Sequence, residues 1–152
     1  MKRKQKKVAV GGTFEIIHRG HIALLKRAFG LGEVFIGLTS DKMAFQIKKR
    51  KVKPFKERKK NLEKKIKEIF SRKAKILKIE DEYGTTLKDD FDYLVVSPET
   101  EKTAILINER RKLMKKKQIK IVKVNFVLAQ DKKPISDRRI LRGEIDKEGN
   151  LL

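Results

Sequence analysis

Five short runs of small, β-branched and other apolar residues are separated by stretches whose apolar positions recur every three or four residues. The runs span Lys7 to Gly12, Glu33 to Thr39, Lys75 to Ile79, Tyr93 to Ser97 and a longer Ile119 to Ala129. A strand covered on both faces reads as a continuous apolar run, as in Val34-Phe35-Ile36-Gly37-Leu38, rather than as an alternation. Parallel strands need a crossover between them, usually a helix. The stretches between the runs supply it. One helix is predicted from about Gly20 to Leu31, with Ile22, Leu25, Ala28 and Phe29 on one face. A second starts at Ser40-Asp41, with either residue as its cap. A third runs from Pro54 to about Arg72, with Leu62, Ile66, Ile69 and Phe70 inward. Pro98-Glu99-Thr100 opens a fourth, carrying Ala104, Ile105, Ile107 and Leu113, and Ser136 caps a last short one that reaches about Arg142 before Gly143. The expected class is α/β, a doubly wound parallel sheet of about five strands.

In such sheets ligands bind beyond the carboxyl ends of the strands, where the strand order reverses. The segment after the first strand is therefore the first place to look. It reads Gly11-Gly12-Thr13-Phe14-Glu15-Ile16-Ile17-His18-Arg19-Gly20-His21. Glycine lets a backbone approach a phosphate with no Cβ in the way, and a helix start offers free N–H groups with a partial positive charge. His18 and His21, the protein's only 2 histidines, stand one helical turn apart and can face the same side. The bland alternative is a pair of satisfied structural histidines. A metal pair is disfavoured, because no cysteine exists and no third ligand stands nearby.

The 152 residues suit one domain, 1–152, in which 1–7 form a basic N-terminal extension. Lys and Arg number 41 against 20 Asp and Glu, a net charge of +21. Such a charge favours polyanions, because Lys and Arg release counterions from phosphate backbones, so non-specific nucleic-acid binding is expected at low salt. A compositional origin competes with it: most of the basic residues are Lys, and Lys/Glu enrichment accompanies life at high temperature. Zero Cys excludes disulfides and thiolate chemistry and fits a reducing cytoplasm. No run approaches the ~20 apolar residues of a membrane span, and no signal-peptide core follows the basic start. The chain is expected to be cytoplasmic, with no membrane partner and an open oligomeric state.

Gly-Gly-Thr-Phe followed by His-x-Gly-His resembles the signature of the nucleotidyltransferase superfamily. Gly37-Leu38-Thr39-Ser40-Asp41, Val95-Val96-Ser97-Pro98-Glu99-Thr100 and Pro134-Ile135-Ser136 through Asp146 resemble the archaeal phosphopantetheine adenylyltransferase family. The resemblance runs from about Val8 to Gly149. It implies a Rossmann-like nucleotidyltransferase fold and the transfer of AMP from ATP to 4′-phosphopantetheine, giving dephospho-coenzyme A and pyrophosphate. It also implies Mg²⁺ on the triphosphate. Under it, His18 and His21 are catalytic, and ATP contacts fall on Gly11, Gly12, Thr13, Phe14, His18, His21, Ser136 and Arg139. The acceptor contacts fall on Thr13, Lys42, Ser97, Glu99 and Arg111.

The chain departs from the family pattern in two places. Glu15 stands where the family usually has Asp. In Ile135-Ser136-Asp137-Arg138-Arg139-Ile140-Leu141 the family usually shows Ile-Ser-Ser-Thr-Arg-Ile-Arg. A carboxylate at the start of a phosphate-binding helix competes with the ligand for its N–H groups, so Asp137 is expected to weaken ATP binding unless it pairs with Arg138 or with Mg²⁺. The basic run from Lys48 to Lys60 holds a single aromatic, Phe55, and reads as a mobile lid or a solvated helix start. Two other functions compete. One is a relative of the same fold with a nicotinamide, flavin or glycerol-phosphate acceptor. The other is a polyanion- or RNA-binding protein that has lost catalysis.

Overall fold

The computed structural model describes residues 5–152. Most of the expected basic extension, residues 1–4, lies outside the described residues, and its last residue, Lys7, already belongs to the first strand. The chain order is β1 (Lys7–Gly12), α1 (Arg19–Leu31), β2 (Glu33–Thr39), α2 (Asp41–Lys48), α3 (Phe55–Phe70), β3 (Lys75–Ile79), β4 (Tyr93–Val96), α4 (Glu101–Leu113), β5 (Lys120–Lys123) and α5 (Asp137–Leu141). The five strands form one sheet in the order β3-β2-β1-β4-β5, every pair parallel. The chain winds outward from β1 to β3, returns, and winds outward again through β4 to β5. The reversal lies between β1 and β4, so a crevice opens at their carboxyl ends.

Both faces of the central strands are buried, which is why they read as continuous apolar runs. Val8, Val10, Val34, Ile36, Leu38 and Val95 pack with Leu25, Ala28 and Phe29 of α1 and Leu62 and Ile66 of α3. On the other face Ala9, Leu94 and Val96 meet Ala104 and Ile107 of α4. Each large aliphatic side chain fully buried here contributes about 1.5–3 kcal/mol from the area it removes from water.

Three expectations change. The fifth strand stops at Lys123 instead of Ala129, because its partner β4 is four residues long and the ladder ends with Val124 N–H on the Val96 carbonyl at 2.8 Å. The chain beyond leaves the sheet and pairs with itself, Ile135 N–H donating to Val127 at 3.0 Å. Ile69 is exposed, because α3 turns Phe70 inward onto Phe29, with ring centroids 5.1 Å apart. Ile105 and Leu113 of α4 are also exposed: Ile105 follows the buried Ala104 by about 100° of helix turn, and Leu113 is the last helical residue. Of the two candidate caps of α2 it is Ser40 that serves, its Oγ accepting from Met43 N–H at 3.1 Å.

Candidate active site

A cleft of about 1280 Å³ occupies the crevice at the switch point. Gly11 to Phe14, His18, His21, Ser97 and Glu99 line it. Lys48, Arg50, Ser136 and Asp137 line it as well. The turn out of β1 is a tight fit. A Cβ on Gly12 would stand 2.7 Å from the ring of Phe14, and Phe14 takes a left-handed φ of 48° that a non-glycine residue rarely adopts. That conformation turns the Phe14 ring into the interior against His21, with centroids 5.0 Å apart.

The two histidines build the start of α1. His18 is its N-cap, with Nδ1 accepting from Gly20 N–H at 3.0 Å. His21 reaches back, its Nδ1 accepting from His18 N–H at 3.2 Å. They thus exchange side-chain-to-backbone bonds as Ser and Glu do in a capping box. Gly20 between them is required by space, since a Cβ there would lie 2.8 Å from His18 Cε1. The rings stack at 4.0 Å with a 26° tilt. Burial pushes the His18 imidazole down to about 4. Burial, then the neighbouring His18, pushes His21 down to about 3. Both rings are neutral at physiological pH. With Nδ1 accepting a backbone proton in each, the single ring proton resides on Nε2. The cap therefore sets the tautomer, with Nε2–H as each ring's donor and the Ile16 backbone also acting on the His21 ring.

A charge network in the cleft wall joins three segments. Asp137 accepts from Lys48 Nζ at 2.9 Å and from Arg50 at 3.3 Å, while Arg50 also pairs with Glu15 at 2.7 Å. Lys53 N–H completes the hold on Glu15 at 2.8 Å. Although burial opposes it, the Arg50 and Lys53 bonds keep the Glu15 carboxyl below its ordinary value. Burial likewise opposes ionisation of Asp137, and the Lys48 bond keeps its carboxyl below the ordinary value. The Asp137 carboxylate is thus occupied by Lys48 and Arg50, and its contact with Arg138 is limited to the backbone N–H at 3.0 Å. Of the two readings of the basic run, the solvated helix start holds for exposed Lys56, Glu57 and Lys60 on the first turns of α3. The segment before it is tied down instead of forming a mobile lid. Arg50 bridges two carboxylates, Val52 is buried, and Arg58 has 0% exposed surface. Arg58 donates to the Lys53 carbonyl (2.7 Å), the Thr13 carbonyl (3.1 Å), the Thr39 carbonyl (2.9 Å) and Asp41 (3.0 Å).

Gly11, Gly12, Thr13, Phe14, His18, His21, Ser97, Glu99 and Ser136 come together around the cleft. Three expected residues lie elsewhere. Lys42 is exposed on the first turn of α2, whose Met43, Gln46 and Lys48 face the cleft instead. Arg111 is 1% exposed and turned inward to the Thr86, Asp89 and Lys117 carbonyls and Asp90, so it pins the loop before β4 rather than reaching a ligand. Arg139 turns away to Asp131, Glu144 and the Pro134 carbonyl. Its ring of partners holds the segment after β5 against α5. Sequence reasoning missed Lys48, Arg50 and Arg58 as individuals, because each sits in a run of like residues with no local mark of its fate. Among the described residues no group of three or more His, Cys, Asp or Glu could hold a metal ion.

A cytidylyltransferase-like family model matches residues 9–142. The phosphopantetheine adenylyltransferase of Archaeoglobus fulgidus is 47% identical over 148 residues, covering 96% of this chain and 99% of its own length. That of Methanothermobacter thermautotrophicus is 43% identical over 154 residues, 100% of this chain and 93% of its own. A crystal structure of an A. fulgidus protein of unknown function superposes with a TM-score of 0.74 at 46% identity, over 78% of this chain and 88% of that one. The lipopolysaccharide core biosynthesis protein of Thermoplasma volcanium superposes with a TM-score of 0.64 at 21% identity, over 80% of this chain and 97% of that one, and shares the fold alone.

Proposed function

Because the chain belongs to the cytidylyltransferase-like family of nucleotidyltransferases, we propose that it transfers AMP from ATP to 4′-phosphopantetheine, giving dephospho-coenzyme A and pyrophosphate. The acceptor follows from the archaeal relatives, which span nearly its whole length under one activity. On this reading residues 1–152 act as one catalytic domain.

The observation that carries the chemistry is the pair of neutral, Nε2-protonated histidines lining the cleft at the switch point. An oxygen of the acceptor phosphate attacks the α-phosphorus of ATP in line. The bond from that phosphorus to the bridging oxygen of the β-phosphate breaks, and pyrophosphate leaves with the electron pair. No covalent enzyme intermediate is needed, so the protein contributes position and charge stabilisation. His21 donates from Nε2 to the α-phosphate oxygens as negative charge grows there, and His18 assists on the triphosphate. The Gly11 to Phe14 backbone and Ser136 line the nucleotide, while Thr13, Ser97 and Glu99 face the acceptor. Mg²⁺ would enter with the triphosphate as part of the substrate and offset its charge.

The test is turnover. Pyrophosphate appears only when ATP, Mg²⁺ and 4′-phosphopantetheine are all present. Folded protein that releases none above background at high substrate would remove the assignment.

A further inference from the structure

The geometry points to Arg58 and Thr39 as positioning residues that fix the direction of a hydrogen-bond chain ending at Thr13, so that Thr13 presents its hydroxyl proton to a phosphate oxygen in the cleft. This rests on the phosphate-transfer reading above and adds Arg58, which no motif marks, and Thr39, to which the Gly37-to-Asp41 segment assigned no role. Arg58 lies in the middle of the basic run yet is fully enclosed beneath the loop after β1. Its Nη1 donates to the Thr13 carbonyl at 3.1 Å and to Thr39 Oγ1 at 3.3 Å. A guanidinium has donors only, so Thr39 Oγ1 can only accept from it. The hydroxyl proton of Thr39 then goes to Thr13 Oγ1, 3.0 Å away. Thr13 Oγ1 is in turn an acceptor on its protein side, and its own proton has no acceptor among the described residues. Thr13 lines the cleft. In the reversed chain Thr39 Oγ1 would accept from both Arg58 and Thr13, and its own buried proton would have no acceptor among the described residues.

The physical consequence is a hydroxyl with one permitted direction. A threonine free to rotate offers a ligand either a proton or a lone pair. This one offers the proton, polarised by a cation two bonds back in a low-dielectric interior. It therefore favours an anionic oxygen, and disfavours an N–H or ammonium group at the same place. The phosphate can be that of the acceptor or one of the nucleotide, and separate titrations tell them apart.

Calorimetric titrations of 4′-phosphopantetheine and of ATP, each alone, test the chain of bonds in the full-length protein. Thr39→Val deletes the relay hydroxyl at nearly constant volume and leaves the other Arg58 contacts in place. It is expected to weaken one of the two ligands by about three- to tenfold, the range of a neutral hydrogen bond disoriented rather than lost. Thr39→Ser restores affinity to within about twofold of wild type, since it keeps the hydroxyl. In a Thr13→Val background Thr39→Val adds nothing, whereas a merely structural role would add its full loss again. Thr39→Ala carries the same comparison if the valine variant melts early. Unchanged affinity for both ligands, or an equal loss in the Thr13→Val background, overturns the inference. Wild-type turnover is read separately. A wild type that releases no pyrophosphate but binds ATP in a Thr39-dependent way loses the adenylyl-transfer reading and keeps the relay. A wild type that turns over while Thr39→Val binds both ligands normally keeps the reading and loses the relay. Binding of neither ligand by the wild type overturns both.

Discussion

His21 carries two tasks with one ring. Its Nδ1 accepts from His18 N–H at 3.2 Å, and that bond sends the ring proton to Nε2, the atom that would meet the growing charge on the α-phosphate. Removing it should cost catalysis more than binding. His21→Ala is expected to lower kcat by about 10²–10³, as for one lost oxyanion donor, with a much smaller rise in the KM for ATP. Steady-state kinetics decide this, and a kcat within twofold of wild type would take His21 out of the catalytic set. Asp137 makes the opposite case. Its carboxylate occupies Lys48 and Arg50, two cations on the cleft wall that a triphosphate would otherwise attract. Asp137→Ser keeps the helix start polar, frees Lys48 and leaves Arg50 paired with Glu15 alone. ATP binding by calorimetry at saturating Mg²⁺ should tighten severalfold. The same change should lower stability by about 1 kcal/mol, the scale of a part-exposed ion pair. Weaker ATP binding in that variant would show that the carboxylate organises Lys48 and Arg50 for the ligand instead of competing with it.

At the scale of the element, the start of α1 is where conformation and chemistry cannot be separated. Helix propensity alone favours alanine over glycine by about 1 kcal/mol at an interior position. At position 20 the sign reverses. The added Cβ would meet His18 Cε1 at 2.8 Å and Nδ1 at 3.0 Å, and the His18 ring, stacked on His21 and buried, has nowhere to move. Gly20→Ala is therefore expected to break the cap, cost about 1–2 kcal/mol and lower kcat by at least about tenfold. Thermal melting and kinetics together check it. A higher Tm with unchanged kcat would mean that the cap tolerates the methyl group. The short α5 depends on tertiary support instead of its own propensity. It has five residues, and Arg139 and Ser136 hold it from outside its hydrogen-bond ladder. Arg139 thus belongs to the stability of that segment more than to a ligand.

Across the whole molecule, the neutral histidines set a pH dependence of stability. Their folded values, about 4 for His18 and about 3 for His21, lie below the 6.5 of an exposed histidine, and burial is the main cause. Below pH 6.5 the unfolded chain takes up protons that the native rings refuse. Stability therefore falls as the pH drops from about 6.5 toward 4, by up to about 1.4 kcal/mol per pH unit for each ring. The decline from His18 ends as it titrates near 4, and that from His21 continues to about 3. Glu15 and Asp137, held below their ordinary values, extend the loss at the acid end, since their contribution is present above the unfolded carboxyl range and vanishes as they protonate. Urea unfolding at a series of pH values should show the decline beginning near pH 6.5 in wild type. The His18→Gln/His21→Gln double variant should stay flat down to about 5, where carboxylates take over. A double variant as steep as wild type would place the dependence elsewhere.

What the sequence determined by itself is what short-range spacing encodes. The apolar runs and the three-to-four periodicity between them dictate a parallel sheet with crossover helices, and hence a switch point after β1. The His18-x-Gly20-His21 spacing puts both rings at one helix start, and the structure adds that they cap it. Ser136 reads as a cap in the sequence itself. The tertiary structure alone decided which cations matter. Arg58 meets Thr13 across 45 residues and Arg50 meets Asp137 across 87, and nothing local separates either from its basic neighbours. Lys42, Arg111 and Arg139 carry the same charge as Lys48 and Arg50, yet lie outside the cleft wall. The end of β5 was likewise set by the length of its partner β4 and not by its own apolar run. Periodicity and capping act between residues a turn or a pleat apart, so they are written in the order of the chain. Burial of a guanidinium, the pairing of a carboxylate and the end of a ladder depend on which segments the fold brings together, and a chain so rich in Lys and Arg offers many candidates for each place.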